Sequence, residues 1–310
     1  MQAHVLQRFR GILAVAAAAA FLEGCASTTA SRAPTSTPTP SPTPPAATPS
    51  SRPDEPAPEA ASPRSLPGRL WEAVVHEAAR YVSDAAAFVV APGHWDAADW
   101  RRVAGSGATL GVLFVADESV DSFARKQRSR FTDRVSGATT WIGGAGGFRI
   151  PVAVFVGGVL FRDAGARDIG RDAVEACLFS AVVTKSVKNV AGRKRPFETD
   201  GETTFSPFSS RDSFPSGHAT QAFAIASVVA MRSNGWVLPA LAYTTATVVA
   251  MDRVNDRVHF ASDVAAGAII GTVTGRFLVA RHRREEAGKK PRVDIELVPI
   301  RSGLAARIRY

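Results

Sequence analysis

The sequence predicts an all-α fold, a bundle of six or more helices that ends in a small C-terminal β-hairpin. The chain has 310 residues, 45% of them apolar, which is enough for one large domain. From about Leu70 onward, apolar residues recur at helical spacing. Near the C-terminus, apolar and acidic residues alternate over 293–297, and the turn signal Ser302-Gly303 precedes a second alternating run.

The helical domain is predicted over residues 68–285, with the tail or hairpin over 286–310. A second helix is expected to start after Asp96, and the arginines that follow it over 121–135 indicate a solvated helix face rather than a nucleic-acid site. The first helix carries one apolar stripe before Pro92-Gly93: Leu70, Val74, Ala78, Val82 and Ala85. Further apolar segments lie at Ile150–Phe161, Ala173–Thr184, Ala219–Met231, Gly235–Met251 and Val264–Gly275.

Most of these apolar segments are too short to cross a bilayer. The longest charge-free one outside the loop before Ala219 is Gly235–Met251, with 17 residues, whereas a span needs about 20. Mean hydropathy is close to zero, at +0.01. We therefore expect a soluble or peripheral bundle. An integral membrane protein is the alternative, because helices rich in Gly and Ala also pack inside bilayers.

Residues 1–24 predict a signal peptide of the lipoprotein type. Two arginines precede an apolar run over 11–22 that is too short for a transmembrane helix. Leu22-Glu23-Gly24-Cys25 resembles the bacterial lipoprotein processing box, in which the cysteine is lipidated and becomes the first residue. Ordinary cleavage a few residues later is the alternative.

Residues 25–67 predict a disordered tether, because 12 of the 20 prolines fall between Pro34 and Pro67 among Thr, Ser and Ala. Together, the leader, anchor and tether indicate a bacterial cell-envelope protein, held at the membrane surface by lipidated Cys25 and facing the periplasm. The other cysteine, Cys177, has no plausible disulfide partner if Cys25 is acylated. We expect Cys177 to be a small buried apolar residue.

Two basic residues are candidates for binding an anion. Lys188 and Arg195 are seven residues apart and Pro196 follows them. On a helix this spacing is about two turns, which predicts that both cations share one face and that Pro196 helps to end the element.

Two further segments carry titratable and small polar residues. Pro215, Ser216, Gly217 and His218 directly precede an apolar helix, so that a tight loop is expected at a helix N-terminus, where an anion is favoured.

Downstream, His259 and Asp263 are separated by four residues and follow Arg253. A His–Asp pair at this spacing is predicted to share a helical face, so that the carboxylate holds one ring nitrogen and leaves the other free.

In this order, the three motifs resemble the type 2 phosphatidic acid phosphatase and vanadium haloperoxidase superfamily, over roughly 182–279. The resemblance implies the all-helical fold of that superfamily. The third motif of the family usually opens with Ser-Arg, whereas Asp252 precedes Arg253 here. We expect Asp252 to pair with Arg253 or Arg257 instead of offering a serine hydroxyl.

The resemblance implies a phosphomonoesterase that hydrolyses a phosphate or diphosphate ester, with a lipid as the expected substrate. His259 would attack phosphorus to form a phosphohistidine, Asp263 would orient His259, and His218 would protonate the leaving oxygen. Five residues would bind the phosphate: Lys188, Arg195, Ser216, Gly217 and Arg253.

Two alternatives remain open: a vanadate-dependent haloperoxidase, in which vanadate occupies the same anion site, and a degenerate phosphate-binding protein without catalysis. The phosphatase interpretation implies no cofactor and no metal. His76, His94 and His282 lie outside the motifs and are expected to be ordinary surface or core histidines.

Overall fold

The computed structural model describes residues 66–199, 203–288, 294–300 and 303–309. The predicted signal peptide and tether, including Cys25, lie outside these residues. The described part of the bundle consists of eight α-helices: α1 Leu66–Val90, α2 Ala97–Gln127, α3 Arg130–Gly143, α4 Ala145–Leu160, α5 Ala164–Ala191, α6 Gly217–Arg232, α7 Val237–Asn255 and α8 Ala261–Glu286. The predicted all-α bundle is therefore confirmed.

After the bundle, two short strands pair with each other. β1 spans Asp294–Ile300 and β2 spans Gly303–Arg309. They run antiparallel, and the register pairs Ile295 with Ile308 and Leu297 with Ala306.

Capping residues determine where the second and third helices begin. The predicted start after Asp96 is confirmed, because the Asp96 carboxylate accepts two backbone N–H groups of the first turn of α2 at 2.7 and 2.9 Å. The charged segment that follows is not one helix. α2 ends at Gln127, and Ser129 caps α3 by exchanging hydrogen bonds with Thr132.

Among the side chains of α1 that the structure describes, the predicted apolar stripe is not the buried face. Ala78 and Val82 are exposed, whereas Asp84 and Ala87 are buried. The physical reason is an ionic contact: Asp84 pairs with Arg281 of α8, and this contact turns the polar side of α1 towards the bundle. Local periodicity could not reveal this partner, which lies far away in the chain.

The centre of the bundle is α6, which packs against α5, α7 and α8. Small residues allow close contact: a Cβ at Gly271 of α8 would lie 2.2 Å from the carbonyl oxygen of Thr220 in α6. One core cluster joins α5, α6 and α8 through Ala173, Ala176, Ala224, Val228, Leu278 and Val279. These contacts bring the N-termini of α6 and α8 together, next to the C-terminus of α5.

In the described part of the chain, two helices are long and apolar enough to cross a membrane. They cover Ala97–Lys126 and Ala261–Glu286, and only 6% of the apolar window of the first is buried inside the bundle. A third candidate is the bent pair Ser136–Gly143 and Gly146–Leu160. This finding supports association with a membrane.

Candidate active site

The loop before α6 builds the N-terminal end of the candidate site. Ser216 is the N-cap of α6, and its hydroxyl oxygen accepts the Ala219 N–H at 3.5 Å. Its own backbone N–H donates to the carbonyl oxygen of Asp263 at 2.9 Å, so that the first turns of α6 and α8 are joined. A Cβ on Gly217 would meet no described atom within 4 Å. The space beside Gly217 at the helix N-terminus is therefore open, and an anion is stabilised at such a position.

The prediction that Lys188 and Arg195 share one helical face is wrong. α5 ends just before Gly192, whose φ is 55° and where a Cβ would lie 1.8 Å from the carbonyl oxygen of Ser206. Arg195 lies beyond this turn in extended backbone. The two cations converge through Asp212 instead. Lys188 Nζ donates to its carbonyl oxygen, and Arg195 Nε and Nη2 donate to its carboxylate at 3.1 and 3.2 Å.

Arg253, in the last turn of α7, is the third cation of the site. It is only 4% exposed. Its Nη2 atom donates to Thr140 Oγ1 at 2.6 Å, to Asp256 Oδ2 at 3.2 Å and to Asp252 Oδ2. The predicted pairing of Asp252 is thus with Arg253, while Arg257 pairs with another helix. Arg253 Nε is buried and has no hydrogen-bond partner among the described residues.

His259 and Asp263 lie together, although not on one helical face as predicted. α8 begins at Ala261, so that His259 precedes it. His259 Nδ1 is 3.7 Å from Asp263 Oδ2, longer than a hydrogen bond, and has no closer partner among the described residues. Asp263 Oδ2 instead accepts from Ser213 Oγ at 2.6 Å and from the backbone N–H of Phe260 at 2.9 Å.

Burial and neighbouring cations keep the histidines of the site uncharged. Burial, together with Arg253 and His259, lowers the pKa of His218 to about 4. Burial also lowers the pKa of His259, against the opposite effect of Asp263. Burial lowers the pKa of Lys188 to about 8, and Asp212 partly offsets this effect. At neutral pH, the unliganded site therefore holds neutral imidazoles next to three cations.

The sequence did not indicate the role of Arg193, which lies two residues before Arg195. Arg193 is fully buried. Its Nη1 atom donates to Asp263 Oδ1 at 2.6 Å and to Ser262 Oγ at 2.7 Å, and its Nη2 atom donates to Asp117 Oδ2 at 2.7 Å. Three aromatic rings surround its guanidinium: Phe114, Phe205 and Phe260.

Arg193 thus fixes the carboxylate that faces His259. It stands in the basic run Arg193-Lys194-Arg195, which favours solvated charges. An anion site does not need all three of these charges. This was the only signal in the sequence that one of them has another role. Its carboxylate partners are about 70 residues or more away in the chain.

The residues outside the three motifs lie where the sequence predicts. Cys177 is buried, and its Sγ lies 3.4 Å from the carbonyl oxygen of Gly147. His94 is exposed and contacts the carbonyl oxygen of Val90. His282 is a core histidine, 4% exposed, in a buried ionic cluster. The side chain of His76 lies outside the described part of the chain.

Comparison with known proteins agrees with the motifs. Residues 171–286 match the model of the PAP2 superfamily, and this match includes the ends of α5, α6 and α8 that build the site. Residues 171–286 are therefore similar to the PAP2 superfamily. Lipid A 1-phosphatase of Rhizobium etli is 33% identical over 108 residues, which are 33% of this chain and 46% of that protein. The chain thus spans about half the length of this curated relative.

Two solved structures are similar to the chain, each at 21% identity. One is a transmembrane PAP2 type phosphatidylglycerolphosphate phosphatase from Bacillus subtilis, with a TM-score of 0.47 over 58% of this chain and 96% of that one. The other is LpxE of Aquifex aeolicus, with a TM-score of 0.43 over 52% of this chain and 93% of that one.

Proposed function

We propose that the protein is a phosphohydrolase that removes phosphate from a lipid phosphate ester through a phosphohistidine on His259. The observation that carries this proposal is the convergence of three cations, two neutral imidazoles and a helix N-terminus on one point of the bundle. Phosphoryl transfer requires little beyond such positioning and charge stabilisation. Arg195 and Arg253 supply planar donors suited to phosphate oxygens, and Lys188 supplies a point charge.

His259 is the proposed nucleophile. Because its Nδ1 faces Asp263, its Nε2 is the ring nitrogen left for attack on phosphorus. The low pKa caused by burial keeps Nε2 unprotonated at neutral pH. The 3.7 Å separation from Asp263 would shorten to a hydrogen bond as positive charge develops on the ring, since catalytic contacts are often long before substrate binds. Arg193 and Ser213 hold Asp263 in place for this step.

His218 is the proposed general acid. Its pKa of about 4 reflects burial and the nearby Arg253. The negative charge of a bound phosphate would offset the charge of Arg253 and would stabilise the protonated form of His218. We infer that substrate binding raises this pKa and brings a proton to His218. The P–O bond then breaks as His218 gives that proton to the leaving oxygen. Water next attacks phosphorus, the P–N bond to His259 breaks, and His218 takes the proton of the water.

The proposed lipid substrate rests on the apolar surroundings of the site. The loop between Arg195 and α6 exposes three aromatic rings, those of Phe197, Phe205 and Phe208. These rings would contact the apolar part of a substrate whose phosphate lies among the cations. The two candidate membrane spans among the described helices, and the similarity to a lipid A 1-phosphatase, support the same substrate class.

The proposal is tested by comparing substrates with poor and good leaving groups. An alkyl or lipid phosphate needs a proton at its leaving oxygen, a contribution of about 10²–10⁴-fold, whereas a nitrophenyl phosphate needs little. We expect H218A to lose far more single-turnover phosphorylation on the alkyl ester than on the aryl ester. H259A should lose nearly all activity on both, because no phosphoenzyme forms.

Equal losses for H218A on the two substrates would rule out its role as an acid. A phosphoenzyme that still forms in H259A would rule out His259 as the nucleophile. No hydrolysis by the wild-type chain of any ester in a panel of lipid and soluble phosphates would overturn the proposed function itself.

A further inference from the structure

Three buried side chains from three helices meet at the end of the bundle away from the candidate active site. They are Asp84 of α1, Glu175 of α5 and His282 of α8, and their exposed fractions are 1%, 3% and 4%. One ligand atom from each lies within 4.8 Å of the others. His282 follows Asp263 by 19 residues along α8, which is about 28 Å at 1.5 Å per residue. The cluster is therefore separate from the proposed phosphate chemistry.

Each of the three groups is fixed from outside by a partner. His282 Nδ1 lies 2.9 Å from Asp172 Oδ1. Arg80 Nη2 donates to Glu175 Oε2 at 3.0 Å, and Arg281 Nε donates to Asp84 Oδ1. Outer partners of this kind orient metal ligands. They leave Asp84 Oδ2 and His282 Nε2 to face the centre of the cluster, whereas Arg80 contacts Glu175 at Oε2, the oxygen that also faces His282.

The inner atoms of the three groups point at one another. With Nδ1 donating to Asp172, His282 presents Nε2 at 3.2 Å from Asp84 Oδ2 and at 3.6 Å from Glu175 Oε2. Glu175 Oε1 is buried and has no hydrogen-bond partner among the described residues. Carboxylate oxygens and an unprotonated imidazole nitrogen are all acceptors, so that their approach requires positive charge between them.

More carboxylates than arginines surround the cluster, which favours the binding of a divalent cation. Three arginines contact it or its outer partners: Arg80, Arg232 and Arg281. Six carboxylates pair with these arginines, and two of the six belong to the cluster itself: Glu77, Asp84, Asp172, Glu175, Glu285 and Glu286. Burial raises the pKa of Glu175 to about 9, and the hydrogen bonds to Asp172 and Asp84 outweigh burial and raise the pKa of His282 to about 10. A divalent ion would therefore take the place of protons that the ion-free cluster holds at neutral pH.

We propose that Asp84, Glu175 and His282 bind a divalent transition-metal ion, of which Zn²⁺ and Mn²⁺ best match one imidazole and two carboxylates. The ion clamps α1 to α5 and α8. Its role is structural, because it lies far from the cations of the phosphate site. Asp172 is the outer partner that directs His282 Nε2 inward.

The test uses the full-length chain, purified without added metal and then dialysed against a chelator. Zn²⁺ or Mn²⁺ added at about 100 times its Kd should raise the unfolding midpoint by about 5–10 °C. Elemental analysis of the protein as purified should find about one metal ion per chain. Mg²⁺ should have a much smaller effect, because the site includes an imidazole nitrogen.

Two matched variants test whether a metal ion, rather than a proton shared between the side chains, occupies the cluster. E175Q keeps the shape of the side chain but removes a charged ligand, and we expect it to lose the bound ion and the metal-dependent shift. E77Q removes the same charge from the half-exposed neighbour of Arg80, and we expect it to keep both. A wild-type chain without bound metal, whose midpoint does not change with either ion, would overturn the proposal even if E175Q does not fold.

Phosphatase assays on the same samples distinguish this inference from the proposed function. Removal of the ion should lower the unfolding midpoint and leave the turnover of the folded enzyme unchanged. An inactive protein that still binds one ion per chain would contradict only the proposed function.

Discussion

The pKa of Lys188 gives a quantitative prediction for the proposed reaction. Burial lowers this pKa to about 8, so that the amine is charged below pH 8 and neutral above it. At pH 7 about ten of every eleven molecules carry the charge, and at pH 9 about one in eleven does. If Lys188 binds the phosphate as a cation, kcat/KM should fall about tenfold between pH 7 and pH 9.

Substitution by arginine removes this dependence, because a guanidinium stays charged throughout the range. We expect K188R to have a lower kcat/KM at pH 7, since its longer side chain does not reproduce the contact with Asp212. Between pH 7 and pH 9, however, its kcat/KM should stay nearly constant. K185R is the matched control, because Lys185 lies on the same helix and is exposed. It should retain the tenfold fall of the wild type.

The assay should use a nitrophenyl phosphate at low concentration. This substrate needs no proton from His218, and the lowered pKa of His259 keeps that ring neutral from pH 7 to pH 9. Lys188 is then the group of the site whose charge changes in this window. Parallel alkaline decreases in the wild type and in K188R would refute the assignment of Lys188.

Three further outcomes are expected. Vanadate should inhibit the enzyme because it mimics the trigonal-bipyramidal phosphorus, and R253A should weaken both this inhibition and the turnover. A chelator should leave turnover unchanged. Activity that is lost on adding a chelator and restored by a divalent ion would contradict the mechanism. In denaturant titrations, R193M should lower the free energy of unfolding by about 3–5 kcal/mol, because it leaves Asp117 and Asp263 buried without their cation. R102M, which removes one partner of a surface ion pair, should change the free energy of unfolding by less than about 1 kcal/mol. C25S should prevent lipid attachment, and a variant that fractionates and migrates like the wild type would contradict the lipoprotein prediction.

Local signals in the sequence predicted the helical fold and the starts of two helices. Helical periodicity and the cap at Asp96 predicted the start of α2, and the order of the three motifs predicted which side chains meet. Ser216 and Gly217 at the mouth of an apolar segment predicted a helix N-terminus, and the structure has α6 begin there. The helix starts depend on residues that are close in the chain, so that their physics can be read from the sequence. The meeting of the three motifs was instead implied by their resemblance to a known family.

The way the site is assembled depends on the tertiary structure. Sequence spacing predicted one helical face for Lys188 and Arg195. Instead, the helix ends at Gly192 between them, and both side chains donate hydrogen bonds to Asp212. Gly192 adopts its left-handed conformation against the backbone of Ser206, and such a contact has no signature in local periodicity.

Buried charges were the features that only the tertiary structure decided. The sequence by itself predicted an α-helical chain, and the resemblance of its three motifs to a known family implied a phosphate-binding set of cations and histidines. It did not determine that Arg193 would be fully buried against Asp117, or that His282 would meet Asp84 and Glu175. A charged residue appears solvated in any local pattern, because its partner is what makes burial possible. Here the partners come from helices that are 76 to 198 residues apart in the chain, and only the packing of α1, α2, α5 and α8 brings them together.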